Sequence, residues 1–147
     1  MMQLAVEHIG LAARNPIALR QWYAAVLGAR EVFTDGKTPP AFLLALGGDL
    51  MIEIYPADSA RAQPGDNRLA GWRHLALRVD SIEVAREALI RQGVIFEESI
   101  QPAGGGGRVL FFKDGEGNLL HLVERSAGSG GRLPPSTAGG TRAAAHG

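Results

Sequence analysis

The chain has no cysteine among its 147 residues. That excludes disulfides, thiolate zinc sites and cysteine nucleophiles. It has no surplus of either charge, with 15 Lys+Arg against 15 Asp+Glu, so no net field draws nucleic acid or an anionic membrane surface. No apolar run approaches the roughly 20 residues that span a bilayer. The opening MMQLAVEHIG lacks a basic stretch leading into an apolar one, so no secretory signal is expected and a cytoplasmic location is. Gly104–Gly107 lacks the lysine and hydroxyl residue of a P-loop, which excludes that nucleotide site. The DGEGN turn at 114–118 has too few carboxylates for an EF-hand and reads as structural. Core-forming side chains nearly vanish after Arg125. Ser126–Gly147 is therefore expected to be a disordered tail, since it cannot offset its ordering entropy by burial.

What remains is ordinary in bulk, with 46% apolar residues, enough for one domain or two small fused units sharing a core. Hydrophobic spacing predicts a first strand over Leu4–Arg14. A helix opens at Asn15-Pro16 and closes at Gly28. Strands follow near Arg30–Phe33, Ala41–Leu46 and Leu50–Tyr55, the last two joined at Gly47-Gly48. Residues 56–70 are polar and read as a connection. The order then repeats. A strand over Trp72–Val79 leads to a helix that Asp80 and Glu83 open as a capping box and Gly93 closes. Strands are expected over Val94–Ser99, Arg108–Lys113 and Leu119–Glu124. The Gly-rich loop at 104–107 is a candidate mobile lid. Each half reads β-α-β-β-β, so the expected fold is α+β, with module one at about 4–55 and module two at about 71–125.

Strand parity singles out the chemistry. In a strand, alternate side chains face opposite ways. Leu75, Leu77 and Val79 take one face, leaving Trp72, His74, Ala76 and Arg78 on the other. Ile9 and Leu11 likewise oppose His8 and Gly10. Ile52 and Ile54 oppose Met51, Glu53 and Tyr55, and Leu120 and Leu122 oppose His121. Four strands each place one polar residue away from the helices: His8, Glu53, His74 and His121. His8 and His74 lie 66 residues apart, and Glu53 and His121 lie 68 apart. An imidazole-rich, one-carboxylate set suits zinc, iron, nickel, cobalt or manganese. A cation is also the simplest compensation for a carboxylate among imidazoles. Tyr55 and Trp72 are expected to shape an apolar pocket. Arg78 reads either as a holder of a substrate carboxylate or phosphate or as a solvated strand end. Glu124 shares the leucine parity at a strand end and is expected to reach solvent.

The stretches HIGLAARN, LGAREVF, MIEIY, RHLALRVD and KDGEGNLLHLVE, in that order, resemble the vicinal oxygen chelate superfamily of glyoxalases, bleomycin-resistance proteins and extradiol dioxygenases. The resemblance covers about 4–125. It implies two βαβββ modules curling into a cup with helices outside, usually in a homodimer, and a divalent metal chelated by the oxygens of a small substrate. It places the metal on His8, Glu53, His74 and His121. A displaced Glu53 carboxylate, or His121, is then expected to move the proton, so His121 is either a fourth ligand or an acid–base group. The chain departs from the family at His121, where the usual residue is glutamate. The leading expectation is a glyoxalase-like lyase or isomerase. A ferrous extradiol-type dioxygenase and a non-catalytic drug-binding resistance protein are the alternatives.

Overall fold

The computed structural model describes residues 2–3, 5–59, 65–68, 70 and 72–126. The expected tail lies outside the described residues apart from Ser126, as does much of the connection between modules. Module one comprises β1 (His8–Ala13), α1 (Pro16–Leu27), β2 (Arg30–Thr34), β3 (Phe42–Ala45) and β4 (Met51–Pro56). Module two comprises β5 (His74–Arg78), α2 (Ile82–Arg91), β6 (Gln101–Pro102), β7 (Arg108–Lys113) and β8 (Leu119–Glu124). Each forms a four-stranded mixed sheet, in orders β1-β4-β3-β2 and β5-β8-β7-β6. The fold is α+β, built from two βαβββ modules.

Local chemistry explains the helix ends. Asn15 accepts the Ala18 amide at 3.0 Å and Pro16 occupies the first turn, while Gly28 adopts φ 68° to end α1. The second helix is capped one residue later than the capping-box spacing predicts. Ser81 accepts the Val84 amide at 3.3 Å, and the Glu83 carboxylate is drawn off by Arg108 at 2.6 Å.

The first predicted strand is shorter than expected, and another does not form. β1 begins at His8, and Val6 ahead of it is exposed, so burial does not extend the strand. Val94–Ser99 forms no strand. Val94 is instead buried in the core, and Phe96 packs on Phe112 with ring centroids 5.6 Å apart. Side-chain anchoring replaces a backbone ladder there, and Pro102, which has no N–H to give, limits β6 to two residues.

The aliphatic parities meet in one apolar cluster that includes Leu19, Phe42, Leu44, Ile52 and Ile54 from module one and Ile82, Leu89, Leu110, Leu120 and Leu122 from module two. Polar ties reinforce this shared core. Tyr23 on α1 donates to Asp114 at 2.9 Å, and Glu116 accepts the amides of Arg14 and Asn15 at 2.8 and 3.1 Å. A Cβ on Gly115 would stand 3.1 Å from the Trp22 ring, so glycine lets the helix lie close on the turn. The DGEGN turn is structural, as its composition implied, and it seats α1 of the other module.

Candidate functional site

Both modules build the same half-site. β1 runs parallel to β4 with Gly10 opposite Glu53, and β5 runs parallel to β8 with Ala76 opposite His121. Two residues before each small residue stands an imidazole, His8 or His74. A small residue opposite the second polar group leaves space for the imidazole to lean toward it. His8 Nε2 accordingly lies 3.2 Å from Glu53 Oε2, with side chains 39% and 42% exposed. The rings of His74 and His121 stand 4.6 Å apart.

The four sequence-derived residues are therefore brought together two by two. Among the described residues no group of three or more His, Asp or Glu could hold a metal ion within one chain. Each pair is nevertheless chemically suited to one. His121 is buried, and its Nδ1 has no hydrogen-bond partner among the described residues, an orphaned nitrogen of the kind a ligand satisfies. Burial, with smaller contributions from His74 and Arg125, pushes its pKa down to about 4, so the ring is neutral near pH 7, the state in which imidazole ligates. His8 is shifted the other way. The hydrogen bond to Glu7 raises its pKa most, and the Glu53 charge adds to this. A carboxylate on either side of this imidazole calls for a proton or a cation between His8 and Glu53.

The surrounding residues are divided. Tyr55 lies across Gly10, where a Cβ would come within 3.2 Å of its ring, and it borders the first pair. Trp72 is 94% exposed, unlike the pocket wall expected of it. Arg78 is half-buried on β5, opposite Val123. Glu124 does not simply reach solvent as parity implied. It accepts the Ile82 amide at 2.9 Å and pairs with Arg108 at 2.9 Å, binding the start of α2 to the sheet. Three neighbours were missed from the sequence. Glu7 meets His8 Nδ1 at 2.5 Å, Asn67 meets His74 Nδ1 at 2.8 Å, and the Phe111 ring lies 4.8 Å from His121 and 5.8 Å from His74. Phe111 was legible from strand parity, since it sits opposite His121 on β7. Only adjacency marked Glu7, and nothing in the sequence marked Asn67.

The model of the Glyoxalase/Bleomycin resistance protein/Dioxygenase superfamily matches residues 5–122. The chain belongs to that superfamily. Among its relatives, the uncharacterized protein YaeR of Escherichia coli is 29% identical over 123 residues, covering 82% of this chain and 95% of YaeR. A glyoxalase family protein from Enterococcus faecalis superposes with a TM-score of 0.70 at 28% identity, covering 82% of this chain and 97% of that one. The fold also matches the fosfomycin resistance protein FosX of Listeria monocytogenes, whose structure contains Mn(II) and sulfate. There the TM-score is 0.64 at 20% identity, with 86% of this chain and 94% of FosX covered. The superfamily includes both enzymes and binding proteins.

Proposed function

We propose that the protein is a divalent-metal-dependent enzyme of glyoxalase-like type, a lyase or isomerase acting on a small oxygenated substrate. The orphaned Nδ1 of buried His121, in a pair that repeats the His8–Glu53 pair of the other module, carries this reading. His8, Glu53, His74 and His121 would hold the ion. The complete set would join one pair from each of two copies in a homodimer, the assembly that the family resemblance implies. When bound, the ion supplies Lewis acidity to a substrate oxygen.

The chain's own groups then handle the proton. The half-exposed Glu53 carboxylate, displaced from the ion, can accept one, and His121 is the alternative acceptor if it does not ligate. Tyr55 on one sheet and Phe111 on the other provide aromatic surface against which the substrate's carbon skeleton is shielded from water. Ligands carried on paired strands rather than on loops hold these atoms in place.

Metal analysis of protein purified without chelators tests the reading. The expected result is a bound divalent ion that is lost in His121→Ala. Ferrous iron with oxygen uptake on catechols would instead identify a ring-cleaving dioxygenase. A metal-free protein that binds drugs tightly without turnover would identify a sequestering protein.

A further inference from the structure

We infer that Glu7 and Asn67 are positioning residues that fix the tautomers of His8 and His74, so that both imidazoles present Nε2 as the bare donor nitrogen. The inference deepens the proposed metal site and rests on it. A neutral imidazole carries one N–H, and a carboxylate or amide oxygen can only accept. Glu7 Oε2 at 2.5 Å therefore places the His8 hydrogen on Nδ1, and Asn67 Oδ1 at 2.8 Å does the same for His74.

The two modules reach this result by different routes. Glu7 directly precedes His8, just outside β1, where the pleat would have sent it to the opposite face. Asn67 comes from the segment before β5, seven residues ahead of its histidine. Two unrelated acceptors on the same atom of two equivalent histidines imply a shared requirement. The third imidazole provides the contrast, because His121 Nδ1 has no hydrogen-bond partner among the described residues. At His8 the freed nitrogen faces Glu53 Oε2 at 3.2 Å, so two electron-pair donors converge on one spot. At His74, edge-on packing against Phe111 at 89° limits ring rotation, which leaves the tautomer as the variable to be set. Outer partners of this kind typically account for about 10- to 100-fold in metal affinity.

The experiment reads the tautomers directly, by two-bond ¹H–¹⁵N correlation spectra of the metal-free full chain at a pH where the rings are neutral. The expected result is the Nδ1–H form at His8 and His74. Glu7→Ala and Asn67→Ala should each shift their own histidine toward the Nε2–H form. Each should also weaken Zn²⁺ binding, measured by competition with a chromophoric chelator, by about 10- to 100-fold. Asn67→Asp, which keeps an acceptor oxygen, should restore both readouts at His74. An Nε2–H form at both histidines in the unmodified chain, or variants that leave tautomer and affinity unchanged, would overturn the inference. Because the spectra need no metal, an unmodified chain that binds no Zn²⁺ would remove the proposed metal dependence, while the tautomers would still decide this point.

Discussion

The phenol of Tyr23 donates to Asp114 at 2.9 Å across the junction of the two modules, and both residues are buried. Asp114 is held in turn by the amides of Glu116 and Asn118 and by the Asn118 side chain. One carboxylate thus shapes the DGEGN turn and seats α1 upon it. Burial, followed by the nearby Asp114 charge, drives the Tyr23 pKa far above the ordinary phenol value, so the group remains a hydrogen donor at any working pH.

Tyr23→Phe should therefore lower stability by about 1.5–3 kcal/mol, the range for a hydrogen bond to a charged partner, without altering metal binding. Urea unfolding monitored by Trp22 and Trp72 fluorescence measures the loss.

The Gly-rich turn gives a second prediction, and it departs from the mobile-lid expectation. Arg125 bonds to the carbonyls of Gly104 and Gly106, and a Cβ on Gly107 would stand 1.9 Å from the Glu124 carbonyl oxygen. Gly107 also has φ 97°, a conformation that side chains disfavour. Gly107→Ala should cost at least about 1–3 kcal/mol from backbone strain alone. Gly104 has an ordinary φ and nothing within 4 Å, so Gly104→Ala should stay within about 0.5 kcal/mol. Thermal unfolding of the two variants separates a structural turn from a lid, for which turnover would change more than stability.

Acid should weaken the hold on α2. Arg108, by hydrogen bonding, lowers the pKa of Glu83 to about 2, and the Ile82 amide and Arg108 lower that of Glu124. Both carboxylates have depressed folded-state values. Their stabilisation is complete above the ordinary glutamate value near 4.5 and is lost as pH falls through each lowered value, which for Glu83 is about 2. Glu83→Gln and Glu124→Gln should each flatten the fall in unfolding midpoint between those limits. Both variants should also lower the midpoint at neutral pH, where each carboxylate is ionised and paired with Arg108. Denaturant melts across this pH range check both effects.

Strand parity made much of this legible. Ile52 with Ile54, and Leu120 with Leu122, are buried together, while Glu53 and His121 occupy the opposite face in matching registers. A period of two survives tertiary packing because a one-residue slip would expose every aliphatic side chain. Parity assigns a face and gives no distance, so it could not reveal that the four polar residues gather as two pairs. It also treats every residue on a face alike. Trp72, just ahead of β5, escapes into solvent although its spacing matched His74. Polar partners outside a strand ladder leave no periodic trace: Arg108 with Glu83, or Asn67 with His74, join residues whose spacing follows no rule. The Val94–Ser99 run resembled a strand because Val94 and Phe96 alternate toward the core, through side chains alone.

The central claim is that the His8–Glu53 pair of one chain and the His74–His121 pair of another complete one metal site. Complementation tests it most directly. One variant carries His8→Ala with Glu53→Ala, and the other carries His74→Ala with His121→Ala. Each alone should bind no divalent ion at stoichiometric concentration, and differently tagged mixed dimers should recover half the metal content of the unmodified protein. Variants that keep the metal when alone, or mixed dimers that remain metal-free, would contradict the account.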